Sequence, residues 1–376
     1  MKERLFAPGP TMVPDDVTEA VGRAPMHHRS AEFRELYKNV TDDLRYVYQT
    51  SGTPLLFNAS GSGSMESCVA NLFRRGDRVA VVVAGWFGRR WREICAAYGL
   101  EVLSYEIPPE EGTDADDFRK WLEKQGRVRG VFLTHCETST GTFHDVEAVA
   151  ERVRGDETLI VVDAVTSLAV HEVKTDAWGL DAVVCGSQKA LMCPPGLSTV
   201  ALSEKAWKAA DRSDLPKYYF DFRANRAAYE KASQPRFTIA TTLVAGLAVS
   251  LGRIREEGLE TIHGRHVRLG ASCRAGAAAL GLRLFSRNPN NAVTAIEPPE
   301  GIEVEEIRRV LLEEHGIRVA GAQGDLTGKI FRIGHLGYYD RSDILTVLGA
   351  LEAALRTLGK PVDLGSAVTA AQEAWG

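Results

Sequence analysis

Short, continuous runs of apolar residues recur between residues 79 and 203, and segments with helical spacing separate them. The runs occupy residues 79–84, 101–105, 128–134, 158–162, 181–185 and 197–203. A strand that is apolar on both faces has to be covered on both faces, because burial of apolar surface is what stabilises it. Helices predicted at 86–98, 114–124 and 146–153 can supply that cover. The sequence therefore predicts an α/β domain built on a mostly parallel sheet.

The residues that directly follow these strands are the first candidates for a functional site, because ligands bind beyond the carboxyl ends of such strands. They are residues 85–87, 135–138, 163–165 and 186–189. Asp163 ends the most apolar run, and a buried carboxylate there needs a partner. The partner can be a protonated heterocyclic nitrogen, a helix N-terminus or a structural arginine. Lys189 is either a desolvated amine able to form a Schiff base or an ordinary loop lysine.

A run of small residues at 58–64, Asn-Ala-Ser-Gly-Ser-Gly-Ser, follows an apolar stretch and precedes a helix predicted at 65–73. Small residues let backbone N–H groups approach a ligand, and a helix N-terminus favours an anion such as a phosphate. The same residues also suit a flexible loop that caps the helix with serine. The chain contains neither a P-loop motif nor a strand-bound G-x-G-x-x-G followed by an acidic residue at dinucleotide-binding spacing.

The pattern of predicted elements changes after about residue 240. Helices are predicted at 241–257, 262–280, 304–315 and 342–358, and short extended segments at 283–285, 292–297, 318–320 and 330–333, before a short tail. This order indicates a second, smaller α+β domain that begins within the long helical stretch. Arg332 ends one of the extended segments, and its planar fork suits a bidentate grip on a carboxylate.

The composition is that of a globular protein without an obvious macromolecular partner. Lysine and arginine number 45 against 50 aspartates and glutamates, for a formal charge of −5, so the basic footprint of a nucleic-acid-binding protein is missing. The longest apolar run, 79–88, is about half the ~20 residues that span a membrane, and no secretory signal pattern is present. The six cysteines lack metal-site spacing. We expect reduced thiols, no metal and a cytoplasmic protein.

Seven short motifs occur in order along the chain: SGSGS, GWFG, HCETSTG, VVDAVTS, GSQKAL, PPG and FRIGHLG. With the N-terminal segment Ala-Pro-Gly-Pro-Thr at 7–11, they resemble the class V, fold-type I pyridoxal-phosphate aminotransferases, and within them the alanine–glyoxylate and serine–pyruvate aminotransferases. The resemblance covers nearly the whole chain. It implies pyridoxal 5′-phosphate as cofactor, an N-terminal active-site segment at 1–15, a large cofactor-binding domain at 16–255 and a small C-terminal domain at 256–376.

The resemblance assigns chemical roles to four residues. Lys189 matches the lysine that forms the Schiff base and carries a proton between the substrate Cα and the cofactor C4′. Asp163 matches the carboxylate that keeps the pyridine nitrogen protonated, which makes the ring an electron sink. Arg332 matches the arginine that grips the substrate α-carboxylate, and the backbone of Gly9 would lie near the same group.

The resemblance also implies a set of cofactor contacts. Phe87 and Val165 would pack on the two faces of the ring, and the Thr138 hydroxyl would meet its 3′ oxygen. The full set is Ser62, Gly63, Ser64, Phe87, Thr138, Asp163, Val165, Gln188, Lys189 and, from the partner subunit, Thr238.

Several positions depart from the family pattern. Phe87 stands where tryptophan is common, Ser64 where histidine is frequent, and Pro235 where a phosphate-binding tyrosine usually lies. A contact to the phosphate is therefore expected to be missing or rebuilt. The adjacent His27 and His28 are interpreted as structural or substrate-shaping, because two histidines without a third ligand are poor evidence for a metal.

The implied reaction is ping-pong transamination through a Schiff base on Lys189. The expected donor is alanine or serine, and the expected acceptor is glyoxylate or pyruvate. One carboxylate clamp without a clear second cation makes aspartate or glutamate a poorer donor. The alternatives are another amine donor, such as 2-aminoethylphosphonate or ureidoglycine, a lyase of the cysteine desulfurase type, and a non-catalytic subunit. A homodimer with shared active sites is expected, because Thr238 would act on the partner subunit's cofactor.

Overall fold

The computed structural model describes residues 2–376. The strands are β1 (Arg4–Leu5), β2 (Leu55–Asn58), β3 (Arg78–Val83), β4 (Glu101–Glu106), β5 (Gly130–Thr134), β6 (Cys136–Glu137), β7 (Thr142–Phe143), β8 (Leu159–Asp163), β9 (Ala182–Gly186), β10 (Leu197–Leu202), β11 (Val293–Ile296), β12 (Ile317–Arg318), β13 (Ala320–Gly321) and β14 (Phe331–Gly334). The helices are α1 (Asp15–Val21), α2 (Ala31–Tyr48), α3 (Gly61–Leu72), α4 (Trp86–Ala97), α5 (Ala115–Gln125), α6 (Val146–Val153), α7 (Glu204–Ala210), α8 (Phe222–Ala232), α9 (Thr241–Glu257), α10 (Leu259–Ala279), α11 (Val304–His315), α12 (Arg341–Thr357) and α13 (Ser366–Trp375).

A seven-stranded sheet organises the N-terminal part of the chain, in the order β2-β10-β9-β8-β5-β3-β4. The pairs from β9 to β4 are parallel, whereas β10 is antiparallel to both β9 and β2. The connection between β9 and β10 contains no helix, and an antiparallel pair needs no crossover helix. The prediction of a mostly parallel α/β sheet is confirmed.

Both faces of this sheet are buried, which explains why its strands are apolar without alternation. Val82 and Ile160 contribute to a core on one face that includes side chains of α2 and α9. Val81 and Phe132 contribute to a core on the other face with side chains of α3 and α4. Successive residues of a strand point to opposite faces, so each residue of the inner strands β5, β8 and β9 is enclosed by one core or the other, whereas the edge strand β4 is only partly buried.

The C-terminal part forms a smaller α+β unit. Its antiparallel sheet has the order β11-β14-β13, and a third core joins that sheet to α10, α11 and α12. The N-terminus belongs to this unit as well, since β1 pairs with β12 and Phe6 is buried in the third core. The chain then reaches the large sheet, where the Thr11 N–H donates to the carbonyl of Gln188 over 3.1 Å. We propose that the N-terminal segment comprises residues 1–15, the large unit residues 16–255 and the small unit residues 256–376.

Three local expectations were wrong. Helix α3 begins at Gly61 and not at residue 65, because most of the small-residue run forms its first turn. The segment 283–285 forms only the bridge between Leu284 and Ile296, since the chain soon leaves the sheet edge and the Arg287 N–H bonds the Glu110 carbonyl of the large unit. The predicted tail contains the helix α13.

A tertiary contact explains α13, whose sequence is short and weakly patterned. Glu352, on α12, is buried, and its carboxylate accepts hydrogen bonds from the backbone N–H groups of Gly365 (2.8 Å) and Ala367 (2.7 Å). This carboxylate caps the N-terminus of α13 in place of a local side chain. Ala367 and Ala371 then pack closely in the third core.

Helix α2 was not anticipated, although it carries sequence signals. Ser30 precedes it, and the Ser30 hydroxyl accepts a hydrogen bond from the Phe33 N–H over 3.2 Å, as an N-cap does. Its buried residues recur at helical spacing and join the first core. The helices α7 and α8 were also not predicted.

Within residues 2–376, no helix combines the length and the apolar character needed to cross a membrane. The six cysteines are buried free thiols. The part of the chain that the structure describes contains no group of three or more histidine, cysteine, aspartate or glutamate side chains arranged to hold a metal ion.

Candidate active site

Lys189 lies in the turn after β9 and points toward the N-terminal segment. Its Nζ donates a hydrogen bond to the Pro8 carbonyl over 2.6 Å, and its side chain is buried. A Cβ added to Gly9 would lie 2.5 Å from Nζ, so the backbone approach at this position requires glycine. Burial lowers the pKa of Lys189 to about 8, and the charge of Arg332 acts in the same direction. The amine is therefore partly neutral near physiological pH.

Asp163 ends β8, the strand beside β9, so it lies at the same carboxyl edge of the sheet as Lys189. One carboxylate oxygen accepts a hydrogen bond from the Val165 N–H over 2.8 Å. Burial raises the pKa of Asp163 to about 6, and the charge of Glu137 adds to that shift. The charges of Arg90 and Lys189 oppose it. The carboxylate is thus charged at neutral pH and is poised to hold a cation.

Arg332 brings the small unit to this edge from β14. Its Nε donates to the Gly321 carbonyl over 3.0 Å, one terminal nitrogen donates to the same carbonyl over 2.5 Å, and the other donates to the Thr138 carbonyl over 2.7 Å. Burial lowers the pKa of Arg332 to about 10, which leaves it fully charged at neutral pH. A guanidinium has five N–H donors, so two remain for a carboxylate.

The first turn of α3 adjoins the turn that carries Lys189. A Cβ added to Gly186 would lie 2.7 Å from the Gln188 Oε1 and 3.4 Å from the Gly61 N, so these two polar atoms flank one small space. The Gln188 Oε1 is buried and has no hydrogen-bond partner within residues 2–376. Helix N-terminal N–H groups and an unsatisfied amide make this space suitable for a polar ligand.

The serines of this turn point in different directions. The Ser62 hydroxyl accepts a hydrogen bond from the Arg90 guanidinium over 2.9 Å. The Ser64 hydroxyl is fully buried and is bonded to the Ser198 hydroxyl at 2.7 Å. Gly63 lies against Ala59, and a Cβ added to Gly63 would be 2.7 Å from the Ala59 Cβ. Ser62 and Gly63 follow Gly61 in the turn beside Gln188, and we call the space between this turn and Gln188 the cradle, whereas the hydroxyl of Ser64 is engaged elsewhere.

Three further predicted contacts lie beside the principal groups. Phe87 is the second residue of α4 and is half-buried, whereas its neighbour Trp86 is exposed. The Thr138 hydroxyl is 2.5 Å from that of Thr166, and the Thr138 carbonyl accepts the hydrogen bond from Arg332. Val165 follows Asp163, and an added Cβ on Gly61 would lie 2.6 Å from a Val165 methyl group. These residues therefore lie around the carboxyl edge of the sheet.

Thr238 shares no described contact with Lys189, Asp163 or Arg332 within residues 2–376. It is exposed, and within residues 2–376 its described contacts join it to Asn58 and His28. The Asn58 amide donates to the Thr238 carbonyl over 3.0 Å. The His27 and His28 rings lie 4.9 Å apart beside this position.

Glu137 was missed in the sequence interpretation, although it is the charged residue of the HCETSTG motif. It is fully buried, and its two oxygens accept hydrogen bonds from the N–H groups of Phe87 (3.0 Å), Gly88 (3.2 Å) and Ser139 (3.1 Å). A Cβ added to Gly85 would lie 2.6 Å from the Glu137 carboxyl carbon. Glu137 therefore caps α4 and holds the backbone of Phe87, and its charge raises the pKa of both Asp163 and Arg332.

Comparison with known proteins identifies the family to which this arrangement belongs. Residues 5–336 match the sequence profile of Aminotransferase class-V. The chain belongs to the class V aminotransferases. A relative named soluble hydrogenase, small subunit, from Synechococcus sp. (strain PCC 6716) is 42% identical over 95% of this chain and 94% of its own length. L-aspartate–glyoxylate aminotransferase of Paracoccus denitrificans is 36% identical, with 98% of this chain and 95% of that protein covered.

A solved structure agrees with the family assignment. Ureidoglycine–glyoxylate aminotransferase from Bacillus subtilis superimposes with a TM-score of 0.93 at 30% identity, over 99% of this chain and 97% of that one. The fold of this class V aminotransferase is thus that of the pyridoxal-phosphate enzymes, and the resemblance deduced from the seven motifs is confirmed. Its cofactor is pyridoxal phosphate.

The residues at the carboxyl edge fit that cofactor chemically. A buried lysine whose pKa is lowered to about 8 suits a carbonyl group, and a buried carboxylate suits a protonated ring nitrogen. The space between Gly186, Gln188 and the first turn of α3 offers polar partners to a phosphate.

Proposed function

We propose that this class V aminotransferase moves the amino group of alanine or serine to glyoxylate or pyruvate. The observation that carries the proposal is the convergence of Lys189, Asp163 and Arg332 at one buried edge, with a single guanidinium fork for a single carboxylate. Glyoxylate also occurs in the names of the two compared aminotransferases, the one from P. denitrificans and the one from B. subtilis.

The cofactor, once bound, supplies an electron sink for the electron pair that remains when the substrate Cα loses its proton. Lys189 carries that proton in our proposal. Its pKa of about 8 gives an amine that accepts a proton at Cα and returns it without a large change in free energy. The Pro8 carbonyl, 2.6 Å from Nζ, orients the amine.

Asp163 holds a proton on the pyridine nitrogen in this proposal. Its burial makes an isolated charge costly, so a cationic partner would be bound strongly. The Val165 N–H fixes one carboxylate oxygen and leaves the other for that contact. Phe87 and Val165 would pack on the ring faces, Thr138 would meet the 3′ oxygen, and the cradle of Ser62, Gly63 and Gln188 would hold the phosphate, while the Ser64 hydroxyl stays bonded to Ser198.

Arg332 binds the carboxylate of donor and acceptor alike, because both substrates carry the same α-carboxylate. Its hydrogen bonds to two backbone carbonyls fix the plane of the guanidinium before a substrate arrives. Gly9 and the N-terminal segment close the space beside Lys189, which favours a small donor side chain. Because β14 belongs to the small unit, binding at Arg332 would also draw that unit onto the site and exclude water.

We further propose a cytoplasmic homodimer in which Thr238 reaches the partner subunit's phosphate. The support is that Thr238 is exposed and that its described contacts, within residues 2–376, go to Asn58 and His28 and to no residue of the cradle of its own chain. Dilution is expected to dissociate the dimer and to release cofactor at the same protein concentrations. Sedimentation velocity measures the dissociation, and absorbance measures the bound cofactor. A monomer that keeps full cofactor affinity would contradict the shared site.

The donor is identified by single half-reactions. The holoenzyme is mixed with one amino compound without acceptor, and both the loss of its visible absorbance and the released oxo product are quantified. Alanine and serine are expected to give one equivalent of pyruvate or hydroxypyruvate per site. The compound 2-methylalanine is the control, because it keeps the amine and carboxylate but has no Cα proton.

Other outcomes of this experiment would change the proposal. Faster discharge by aspartate, 2-aminoethylphosphonate or ureidoglycine would replace the donor class. Formation of alanine from cysteine, with the sulfur transferred to a thiol as a persulfide and released as sulfide only when excess dithiothreitol reduces it, would indicate a lyase of the cysteine desulfurase type. No discharge by any compound, with the absorbance band present, would indicate a non-catalytic subunit.

A further inference from the structure

Arg90 is a cationic side chain at the edge of the cradle that has no role in the function proposed above. It lies on α4, one helical turn after Phe87. One terminal nitrogen donates to the Ser62 hydroxyl over 2.9 Å, and its guanidinium carbon lies 4.7 Å from the centroid of the Phe87 ring. The side chain thus contacts both the first turn of α3 and Phe87 in the first turn of α4.

The neighbouring arginines of α4 are engaged differently. Arg89 is paired with Asp325 over 2.5 Å, and Arg92 is paired with Glu106 over 2.9 Å. Within residues 2–376, Arg90 has no carboxylate at ion-pair distance, and its described hydrogen bond is the one to Ser62. Its charge nevertheless acts on the site, since it opposes the upward shift in the pKa of Asp163. Its charge is therefore available to an incoming anion.

The cradle otherwise lacks formal positive charge. It is lined by Ser62, Gly63 and Gln188, all uncharged, and the nearby Ser64 hydroxyl is bonded to Ser198. A phosphate ester carries about −1.5 to −2 charges at pH 7. The N-terminus of one helix contributes only about half a positive charge. Without a cation, this burial of a phosphate would leave most of its charge uncompensated.

We propose that Arg90 binds the cofactor phosphate and that its hydrogen bond to Ser62 orients that hydroxyl toward the same group. Because the guanidinium occupies an acceptor position of the Ser62 oxygen, the hydroxyl proton is directed elsewhere and can be donated to a phosphate oxygen. Arg90 is then a binding residue of the phosphate, and its contact with Phe87 couples the phosphate site to the aromatic residue. This inference rests on the phosphate position proposed above.

The test compares two ligands that differ only in the phosphate. The full-length protein is freed of cofactor, and the Kd values of pyridoxal phosphate and of pyridoxal are measured by absorbance and by calorimetry. In Arg90→Met, the Kd of pyridoxal phosphate is expected to rise about ten- to a hundredfold, as for loss of a charge-assisted hydrogen bond. The Kd of pyridoxal is expected to stay within about twofold. Arg90→Lys, which keeps the charge, should lie between Arg90→Met and the parent protein.

Arg89→Met is the matched control on the same helix, and its affinities for both ligands should be those of the parent protein. Ser62→Ala reports on the cradle itself. If Ser62→Ala lowers the preference for the phosphorylated ligand and Arg90→Met does not, the role of Arg90 is wrong and the cradle stands. If neither variant changes that preference, the proposed phosphate position is wrong as well. Equal weakening of both ligands in Arg90→Met would mean that Arg90 only supports Phe87, which also overturns the proposal.

Discussion

The replacement Arg332→Lys tests the carboxylate clamp with the least disturbance of the fold. The lysine keeps the positive charge at this position. That charge interacts favourably with the buried Glu137, whose negative charge raises the pKa of Arg332. The lysine loses the planar fork, and one ammonium cannot replace three hydrogen bonds to the Gly321 and Thr138 carbonyls while also binding a carboxylate twice.

The magnitude follows from the two N–H donors that remain for the substrate. Loss of one charge-assisted hydrogen bond corresponds to about 1.5–3 kcal/mol, so kcat/KM for alanine should fall about ten- to 150-fold. A substrate without a carboxylate makes no such contact. The rate of the half-reaction with ethylamine should therefore stay within about twofold of that of the parent protein, and the ratio between alanine and ethylamine measures the clamp directly.

The assay is stopped-flow absorbance of the half-reaction at several donor concentrations, with the unfolding midpoint as a check on folding. Arg308→Lys is the matched control, since Arg308 lies near Arg332 but is paired with Glu305 over 2.6 Å. An unchanged kcat/KM for alanine in a folded Arg332→Lys protein would refute the clamp. An equal loss for alanine and ethylamine would mean that Arg332 supports the site without gripping the carboxylate.

Three further predictions concern the amine, the N-terminal segment and acid stability. Lys189→Ala should remain folded and lose multiple-turnover transamination, measured as product per site by chromatography; several turnovers would contradict the proton-carrier role. Gly9→Ala should slow the half-reaction and also lower the stability, because Gly9 has a φ of +157° and its Cβ would lie 2.5 Å from the Lys189 Nζ, and an unchanged rate would refute that packing argument. Burial lowers the pKa of seven histidines, among them His144, to about 4, and both His171 and His335, to about 3. In the unfolded chain each of these three histidines has a pKa of about 6.5, so it binds a proton between pH 7 and pH 5, whereas the buried histidine of the folded protein does not. His144, His171 and His335 should therefore each lower the free energy of unfolding by about 2 kcal/mol between pH 7 and pH 5. Urea unfolding at the two pH values measures this loss, and a flat dependence would contradict it.

The order and kind of the main elements could be predicted from the sequence. Continuous apolar runs specify strands buried on both faces, and such strands require helices on each side, so the parallel sheet follows from a local pattern. Strand ends then become candidate positions, which is how Asp163 and Lys189 were found before the fold was known. The motifs around these ends led to the family, and the family comparison confirms the fold and the cofactor.

Tertiary structure decided what meets across the chain. The Pro8 carbonyl contacts the Nζ of Lys189 although 181 positions separate the two residues, and Glu352 caps a helix that begins beyond the predicted end of structure. Glu137 caps α4 and holds the backbone of Phe87, yet its motif marks it only as a polar residue after a strand. Periodicity records whether a position is buried, because burial repeats with the geometry of a helix or strand. Periodicity does not specify the order of the strands in a sheet or the paths of the loops. Strand order and loop paths determine which buried polar groups become hydrogen-bond partners.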